Sequence, residues 1–440
     1  REGLRITAIT ETHIHADFVS GARELARRTG ARLYLSDEGP AEWKYAYAAE
    51  AGAALVRHGD SFMVGNVRID VVHTPGHTPE HISFLVTDTA AADKPMGIFT
   101  GDFVFVGDIG RPDLLEEAAG IRGTKVPGAR QLFKSLQRFK ELPDYVQIWP
   151  GHGAGSACGK ALGAVPQSTV GYERLFNWAF QITGEDEFVE AVLSGQPEPP
   201  KYFAEMKRVN KIGPAMVREL RPPRSLAGRD LPGVIESGAI VVDTRAAAAY
   251  ATGFIPGTLN IPLDNAFVTW AGWLIPYDVD IYLLVDEECP QCAATAVRGL
   301  RLIGLDRVGG IVGAREALTA WTEMGRGVET YRAVTAAELD QMRQAETVAV
   351  IDVRGRVEWE AGHLPGVRNI PLGYLADRLD ELVSETPTVV CCQTGARSAI
   401  AVSLLRAKGL TNISHLAGGF AAWAAEGRPV ARAAGRVGAA

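Results

Sequence analysis

The 440-residue chain has few cysteines, no long apolar run and no excess of basic residues. Five cysteines are too few for a disulfide framework, so we expect reduced thiols that are either inert or catalytic. No apolar run approaches the roughly 18 residues that span a bilayer, and the first residues do not form a secretory signal. The formal net charge of -7 does not indicate a basic surface that would bind nucleic acid or a membrane. We therefore expect a cytoplasmic protein that binds neither.

The second half of the chain contains an internal repeat. Segments 241–263 and 350–372 align at a constant offset of 109 residues, and the two copies end alike at 320–328 and 422–430. Each copy alternates short apolar strands with amphipathic helices, which predicts a small parallel sheet covered by helices on both faces. At about 150 residues per domain the whole chain is expected to hold about three domains. We assign two of them, both α/β, to 229–328 and 333–434.

The first part of the chain, 1–155, delivers metal-ligand residues from the ends of its predicted strands. Strand-like runs lie at 4–10, 31–35, 67–72, 96–100 and 146–150. Polar loops follow these runs, and they carry His13, His77, Asp102 and His152. Because such strand ends share one edge of a sheet, we expect these side chains to meet in a metal site. Residues 156–228 are predicted to be a helical connector that packs on this domain.

The order of these motifs resembles that of the metallo-β-lactamase fold. THIHAD at 12–17 is followed by TPGHT at 74–78, TGD at 100–102 and PGHG at 151–154. The loop GDFVFVGDIGRPDL at 101–114 is similar to that of the persulfide dioxygenase branch. Dinuclear hydrolases of this superfamily have a further histidine where this chain has Phe18, which cannot bind a metal. The resemblance therefore implies an αββα sandwich that holds a single metal. Because the chain opens in what resembles the first helix of that fold, we also expect the N-terminal β-hairpin to be missing from it.

In persulfide dioxygenases that metal is one ferrous ion held by two histidines and one carboxylate. The resemblance assigns these roles to His13, His77 and Asp102, a facial triad that leaves positions open for a persulfide sulfur and O2. Around this triad, the residues expected to orient ligands and substrate are His15, Asp17 and His152. Arg111 is a candidate to bind the carboxylate or phosphate of a thiol carrier. Cys158 is expected to pack as a small buried apolar side chain rather than to line the cleft.

The second repeat carries a strand, a six-residue loop and a helix at 389–405. Cys392 stands at the end of the strand, where loop N–H groups and the helix N-terminus favour a thiolate or persulfide anion. This resembles the active-site loop of rhodaneses, with Cys392 as nucleophile and Arg397 as a fixed positive charge. The residues expected to contact the transferred sulfur are Gln393, Thr394, Gly395 and Ala396. Cys391 is expected to face the core.

The first repeat lacks such a loop. When it is aligned on the shared helix, Glu287 falls at the position of Cys392. Cys289 and Cys292 form a CxxC pair, for which zinc would need two further ligands that the sequence does not offer. A redox role for this cysteine pair is one interpretation. In the simpler interpretation, the domain is a non-catalytic rhodanese-like spacer or docking surface.

The whole chain resembles bacterial persulfide dioxygenase–rhodanese fusions. That resemblance implies one Fe(II) per chain, with a glutathione, coenzyme A or bacillithiol persulfide, O2 and sulfite as substrates. It also implies sulfide detoxification through a Cys392 persulfide that converts sulfite to thiosulfate, in a protein expected to be a homo-oligomer. Two alternatives remain, a zinc-dependent thioester hydrolase of the glyoxalase II type and a non-enzymatic persulfide carrier.

Overall fold

The computed structural model describes residues 3–118, 120–154, 156, 158–160, 162–382 and 386–432. The chain divides into two compact units, Arg1–Glu219 and Leu220–Ala440. Within the described residues, no helix is both long enough and apolar enough to cross a membrane.

The first unit contains two sheets. The first is parallel, in the order β1 (Ala8–Thr10), β2 (Arg32–Ser36) and β3 (Ala54–Val56). The second sheet has six strands in chain order, namely β4 (Ser61–Val64), β5 (Val67–His73), β6 (Ile82–Asp88), β7 (Gly97–Gly101), β8 (Gln147–Pro150) and β9 (Ser168–Thr169). Adjacent strands of this sheet run antiparallel, except for β7 and β8, which run parallel to each other.

Helices cover the outer faces of both sheets. They are α1 (Ala22–Thr29), α2 (Leu114–Glu117), α3 (Lys125–Phe139), α4 (Val170–Phe176), α5 (Trp178–Gln181), α6 (Glu185–Leu193) and α7 (Tyr202–Ile212). One apolar cluster packs α1 on the first sheet, and another packs α3 to α6 on the second. A third cluster, which joins Val56 of β3 to Val71 of β5 and Phe84 of β6, lies between the sheets. The layers are therefore helix, sheet, sheet, helix, and the predicted fold class is confirmed.

The first half of the second unit has a five-stranded parallel sheet in the order β10-β14-β13-β11-β12. Its strands are β10 (Arg224–Ser225), β11 (Ile240–Asp243), β12 (Thr258–Asn260), β13 (Ile281–Val285) and β14 (Val308–Gly313). Its helices are α8 (Leu231–Glu236), α9 (Ala247–Ala251), α10 (Phe267–Leu274), α11 (Cys292–Leu302) and α12 (Ala314–Glu323). Because β10 pairs with β14, this unit begins before residue 228, where the sequence placed the end of the connector.

The second half repeats that sheet strand for strand, in the order β15-β19-β18-β16-β17. Its strands are β15 (Ala333–Val334), β16 (Ala349–Asp352), β17 (Arg368–Asn369), β18 (Thr388–Cys391) and β19 (Ile413–Leu416). Its helices are α13 (Ala336–Gln344), α14 (Arg356–Ala361), α15 (Ala396–Ala407) and α16 (Gly419–Ala425). The identical strand order agrees with the internal repeat in the sequence.

The register of the two sheets corrects one alignment. Asp243 lies opposite Leu284 in the first repeat, and its counterpart Asp352 lies opposite Cys391 in the second. The residue equivalent to Cys392 is therefore Val285, not Glu287. Six residues (286–291) separate Val285 from α11, whereas three (393–395) separate Cys392 from α15. The alignment from the helix was wrong because the two loops differ in length.

Candidate metal centre and cysteine loop

Three residues that the sequence assigned to the metal converge in the first unit. His13 follows β1, His77 follows β5 and Asp102 directly follows β7. The Nε2 atoms of His13 and His77 lie 3.9 and 3.6 Å from Oδ2 of Asp102. All three side chains are buried, and one donor atom from each lies within 4.8 Å of the other two.

The hydrogen bonds of the two imidazoles leave their Nε2 atoms available for a metal. Nδ1 of His77 donates to the carbonyl oxygen of Arg111 at 2.9 Å, since a carbonyl can only accept. Nδ1 of His13 is hydrogen-bonded to Oγ1 of Thr12 at 2.9 Å. Burial lowers the pKa of His77 to about 4 and that of His13 well below its usual range, so both rings are in the neutral, ligating form. This donor set fits a metal ion.

Asp102 is held in place by a histidine that is not itself a ligand. The Asp102 N–H donates to Nε2 of His81 at 3.1 Å, and Nδ1 of His81 bonds Oγ1 of Thr74 at 2.8 Å. Both nitrogens of His81 are therefore engaged within the fold. On the other side of the carboxylate, a Cβ at Gly151 would lie 2.7 Å from Oδ1 of Asp102, so only glycine leaves the carboxylate this room.

The residues expected to surround the triad lie beside it. Nε2 of His152 is 3.3 Å from Oδ2 of Asp17 and 3.4 Å from Oδ2 of Asp102. Burial lowers the pKa of His152, but these two carboxylates outweigh it and raise the pKa to about 9. His15 stacks on Phe18 with ring centroids 4.6 Å apart. Cys158 is buried, and its sulfur lies within 4.8 Å of a donor atom of both Asp17 and His152.

Arg111 has a different environment from the one expected for a substrate-binding cation. Its Nε and Nη2 atoms donate to the two carboxylate oxygens of Asp113 at 2.8 and 2.7 Å, and Nη1 donates to the Pro197 carbonyl at 2.7 Å. The side chain is 1% exposed. This guanidinium is committed to an internal ion pair, and the carbonyl of the same residue orients His77. The geometry does not support the predicted contact with a thiol carrier.

A buried cation that was not predicted from the sequence comes from α7. Lys207 is buried, and its Nζ atom has no hydrogen-bond partner among the described residues. Burial lowers the pKa of Lys207 to about 8, against the opposing charges of Glu80, Cys158 and Asp102. The nearest signal in the sequence is a lysine on the apolar face of a helix, and nothing local connects that helix with the metal motifs.

The same helix also clamps the loop that carries the first metal motif. Asn210 accepts from the Ser20 N–H at 2.8 Å and donates to the carbonyls of His15 and Phe18 at 2.9 and 2.7 Å. Asn210 is fully buried, so these bonds are shielded from water. The predicted connector thus contributes directly to the candidate metal centre.

In the second unit, Cys392 lies at the end of β18 beneath the N-terminus of α15. The Gly395 N–H donates to Sγ of Cys392 at 3.1 Å, and Oγ of Ser398 lies 3.5 Å from the same sulfur. Gly395 has φ +107°, a conformation that favours glycine. Ser398 was not among the residues predicted from the sequence. Cys391 faces the core, as expected.

The remaining loop residues differ in their positions. Arg397 donates to both carboxylate oxygens of Glu358 at 2.6 and 2.7 Å, which ties the loop to α14. Gln393 accepts a hydrogen bond from Nη1 of Arg354 at 3.1 Å. Thr394 and Ala396 are exposed and form the rim. The positive charge of Arg397 is thus paired with the Glu358 carboxylate, so it does not act on the Cys392 sulfur alone.

The first repeat has no equivalent nucleophile at this position. Cys289 and Cys292, which flank the start of α11, form a disulfide bond. The expectation that every thiol is reduced is therefore wrong for this pair. The described free cysteines are Cys158, Cys391 and Cys392.

Residues 1–152 match the model of the metallo-beta-lactamase superfamily, and residues 335–426 match that of the rhodanese-like domain. A crystal structure of a metallo-beta-lactamase from Staphylococcus aureus subsp. aureus COL is 44% identical, with a TM-score of 0.62, over 71% of this chain and 85% of that one. Hydroxyacylglutathione hydrolase from Methylobacterium nodulans is 35% identical over 34% of this chain and 49% of its own. The uncharacterized protein YqhL from Bacillus subtilis is 45% identical over 17% of this chain and 59% of its own. The chain spans about half the length of the curated relatives that it matches.

Proposed function

The chain belongs to the metallo-beta-lactamase superfamily and carries a rhodanese-like domain, and on this basis we propose that it is an iron-dependent persulfide dioxygenase coupled to a sulfurtransferase. The first unit oxidises a low-molecular-weight persulfide to sulfite. The second unit combines sulfite with sulfane sulfur to give thiosulfate, in the detoxification of sulfide.

The observation that carries this proposal is the donor set of the metal centre. Two neutral imidazoles, His13 and His77, face one carboxylate, Asp102, and each imidazole presents Nε2. Two histidines and one carboxylate on one face are typical of non-haem Fe(II) oxygenases. Ferrous iron bound there would supply the activation of O2 beside the persulfide sulfur. Phe18 supports the proposal, since it removes a ligand that dinuclear hydrolases of the superfamily use.

The polypeptide supplies the positive charge for the substrate. A persulfide and its thiol carrier are both anionic. Lys207 is a buried cation whose Nζ has no hydrogen-bond partner among the described residues, and its charge interacts with that of Asp102. An ammonium shielded from water attracts an anion more strongly than an exposed one does. We assign Lys207 the role of holding the substrate anion. The reaction R–S–S⁻ + O2 + H2O → R–SH + SO3²⁻ + H⁺ balances in atoms and charge.

The loop of Cys392 carries the second reaction. The Cys392 thiolate attacks the outer sulfur of a second persulfide, which forms the new S–S bond and releases the carrier thiolate. Sulfite then attacks the outer sulfur on Cys392 and releases thiosulfate and the Cys392 thiolate. The Gly395 N–H, which already points at Sγ, stabilises the anion in both steps.

The first experiment measures O2 uptake by the full-length protein after anaerobic loading with Fe(II). Glutathione persulfide and coenzyme A persulfide are the substrates, and sulfite and thiosulfate are assayed together. We expect rapid uptake that His77→Ala abolishes, while Cys392→Ser retains uptake and shifts the product from thiosulfate to sulfite. His58→Ala is the matched control, because His58 is exposed and lies outside the metal cluster.

Absence of O2 uptake by the iron-loaded protein would refute the dioxygenase. Loss of all sulfur chemistry in Cys392→Ser would instead favour the persulfide carrier.

The similarity to a hydroxyacylglutathione hydrolase favours a second candidate, a zinc-dependent thioester hydrolase. It predicts that the zinc-loaded protein cleaves S-lactoylglutathione and that the iron-loaded protein consumes no O2. Metal analysis of the protein as isolated, read together with both assays, separates the two functions.

A further inference from the structure

The first repeat carries its cysteine pair where the second repeat carries its nucleophile. Val285, at the end of β13, is equivalent to Cys392, and the loop that follows it (286–291) leads into α11. Cys289 lies in this loop, Cys292 is the first residue of α11, and their two sulfur atoms are bonded. The inactive repeat thus holds a disulfide at the same end of its sheet at which the active repeat holds a thiol.

From this placement we propose that the Cys289–Cys292 disulfide is a further reactive site, which undergoes thiol–disulfide exchange with uncharged dithiols. The site uses neither the metal centre nor Cys392. The inference therefore does not depend on the proposed dioxygenase or sulfurtransferase.

The disulfide lies within reach of a reactant in solution. Cys289 and Cys292 are half-buried, whereas the neighbouring Glu288, Pro290 and Gln291 are exposed. Exchange requires that an attacking thiolate reach one of the two sulfur atoms. Because the residues on both sides of Cys289 are exposed, its sulfur is open to such an attack.

The loop has anchors other than the disulfide. Glu287 Oε1 accepts from the Glu316 N–H at 3.0 Å, and Glu288 pairs with Arg315 at 2.6 Å, so both carboxylates tie the loop to the first turn of α12. The disulfide encloses only two residues, and so short a loop loses little chain entropy on closure. Reduction should therefore leave the domain folded, which is the property of a site that cycles between two redox states.

The helix determines which sulfur leaves. Cys292 stands in the first turn of α11, and Gln291 precedes this helix without a side-chain capping bond. The positive end of the helix dipole stabilises a thiolate at this position, and the more stable thiolate is the better leaving group. An incoming thiolate therefore attacks the sulfur of Cys289, the S–S bond breaks and the Cys292 thiolate is released.

The second thiol of the reductant completes the exchange. It attacks the sulfur of the reductant in the mixed disulfide and releases the Cys289 thiolate. The sum is protein disulfide plus R(SH)2 giving protein dithiol plus a cyclic disulfide of R, which moves two electrons and two protons to the protein. An acceptor disulfide reoxidises the pair by the same steps in reverse.

The charge of the loop favours uncharged reductants. Asp286, Glu287 and Glu288 directly precede Cys289, and Arg315 balances one of these three carboxylates. Glutathione and coenzyme A are anionic, so they are repelled, whereas an uncharged dithiol is not. These carboxylates are exposed, and salt should therefore weaken the repulsion.

The test compares dihydrolipoamide with dihydrolipoate, which have the same dithiol and differ by one negative charge. Full-length protein purified without reductant is incubated with each compound, and its thiols are then alkylated and counted by mass spectrometry. The count should rise by two above the free cysteines, which are Cys158, Cys391 and Cys392. We expect dihydrolipoamide to react roughly fivefold faster at low ionic strength. The two rates should converge at high ionic strength, and equal rates at low ionic strength would refute the preference for uncharged dithiols.

Turnover is measured with dihydrolipoamide as the donor and hydroxyethyl disulfide as the acceptor. The double variant Cys289→Ser/Cys292→Ser should lose the catalysed rate and keep its melting temperature, since the loop retains its anchors to α12. Cys392→Ser should retain the catalysed rate, which assigns the reaction to the pair.

A disulfide that dihydrolipoamide leaves intact in the native protein would overturn the proposal, as would turnover that survives in the double variant. An intact disulfide together with a lower melting temperature of the double variant would identify a structural cross-link instead. Because these readouts involve neither iron nor O2, failure of the exchange site and failure of the dioxygenase are separate results.

Discussion

Nδ1 of His77 donates a hydrogen bond to the main-chain carbonyl of Arg111 at 2.9 Å. This bond links the turn after β5 to the loop after β7, and it fixes which nitrogen of His77 faces the metal. The side chain of Arg111 is in turn held by both oxygens of Asp113. The orientation of a candidate metal ligand therefore depends on the buried ion pair of Arg111 with Asp113, two residues along the loop.

Replacing Asp113 with alanine should weaken both the fold and the metal centre. The Arg111 guanidinium would stay buried without its carboxylate, a change that typically costs about 3–5 kcal/mol. Movement of the loop would also release His77, and loss of such an orienting contact lowers metal affinity roughly 10- to 100-fold. Denaturant unfolding and competition with an iron chelator measure the two effects.

The control for this prediction is Asp186→Ala. Asp186 also pairs with an arginine, Arg130 at 2.7 Å, but it is 87% exposed. Exposed pairs contribute about 0–1 kcal/mol, so stability and metal affinity should barely change. Unaltered metal affinity in Asp113→Ala would show that the ion pair does not position His77.

Much of the metal centre was predictable because its ligands follow strands. His13, His77 and Asp102 each stand just beyond an apolar run, and they meet because the end of β1 in the first sheet lies near the ends of β5 and β7 in the second. The α/β class followed from the alternation of strands and helices, whereas the αββα sandwich was implied by the resemblance of the motifs to the metallo-β-lactamase fold. The position of the candidate nucleophile was predictable as well, since Cys392 precedes a glycine and a helix in one continuous segment.

The parts that sequence did not predict depend on contacts between distant segments. Lys207 is buried on α7, whose Asn210 contacts the loop of the first metal motif, and no local pattern encodes that packing. The partner of Arg111 is only two residues away, yet the choice between an internal carboxylate and a substrate anion depends on burial. The position of Val285 required the sheet register, because the loop lengths of the two repeats differ.

Lys207→Met should weaken the binding of the persulfide. The variant keeps the length of the side chain and removes its charge, so we expect KM to rise at least tenfold while kcat for O2 uptake changes little. That split follows if Lys207 binds the ground state and the transition state equally. Steady-state kinetics with glutathione persulfide measures it. A fall in kcat at unchanged KM would assign Lys207 to the chemical step instead.

The pH dependence of KM gives an independent test of whether the Lys207 ammonium binds the substrate. Burial lowers the pKa of Lys207 to about 8, so the ammonium is present below pH 8 and is lost as the pH rises through that value. KM of the wild type should therefore rise above pH 8. Lys207→Arg keeps its charge at all these pH values, and its KM should stay flat over the same range. A parallel rise in both proteins would rule out Lys207 as the source.

Asn210→Leu should disturb the loop that carries His13 and His15. The substitution removes the partner of the Ser20 N–H and of the carbonyls of His15 and Phe18 in a buried environment. Each group left without a partner costs about 1–3 kcal/mol. We expect lower thermal stability together with weaker iron binding. Stability loss with full iron affinity would show that α7 supports the fold without positioning the loop.

Gly419→Ala should disable the cysteine loop and leave the metal centre intact. Gly419 has φ +61°, and a Cβ there would lie 2.3 Å from the carbonyl oxygen of Cys392, which accepts from the Phe420 N–H at 2.7 Å. The added methyl group must displace the backbone of Cys392, which moves Sγ away from the Gly395 N–H that points at it. We expect O2 uptake to continue while thiosulfate is replaced by sulfite.

Gly427→Ala is the matched control, because Gly427 also has positive φ, +69°, but open space around it. Both variants carry the same backbone strain of roughly 1–2 kcal/mol, so a loss of thiosulfate confined to Gly419→Ala isolates the contact with Cys392. Equal loss in both would attribute the effect to backbone strain alone.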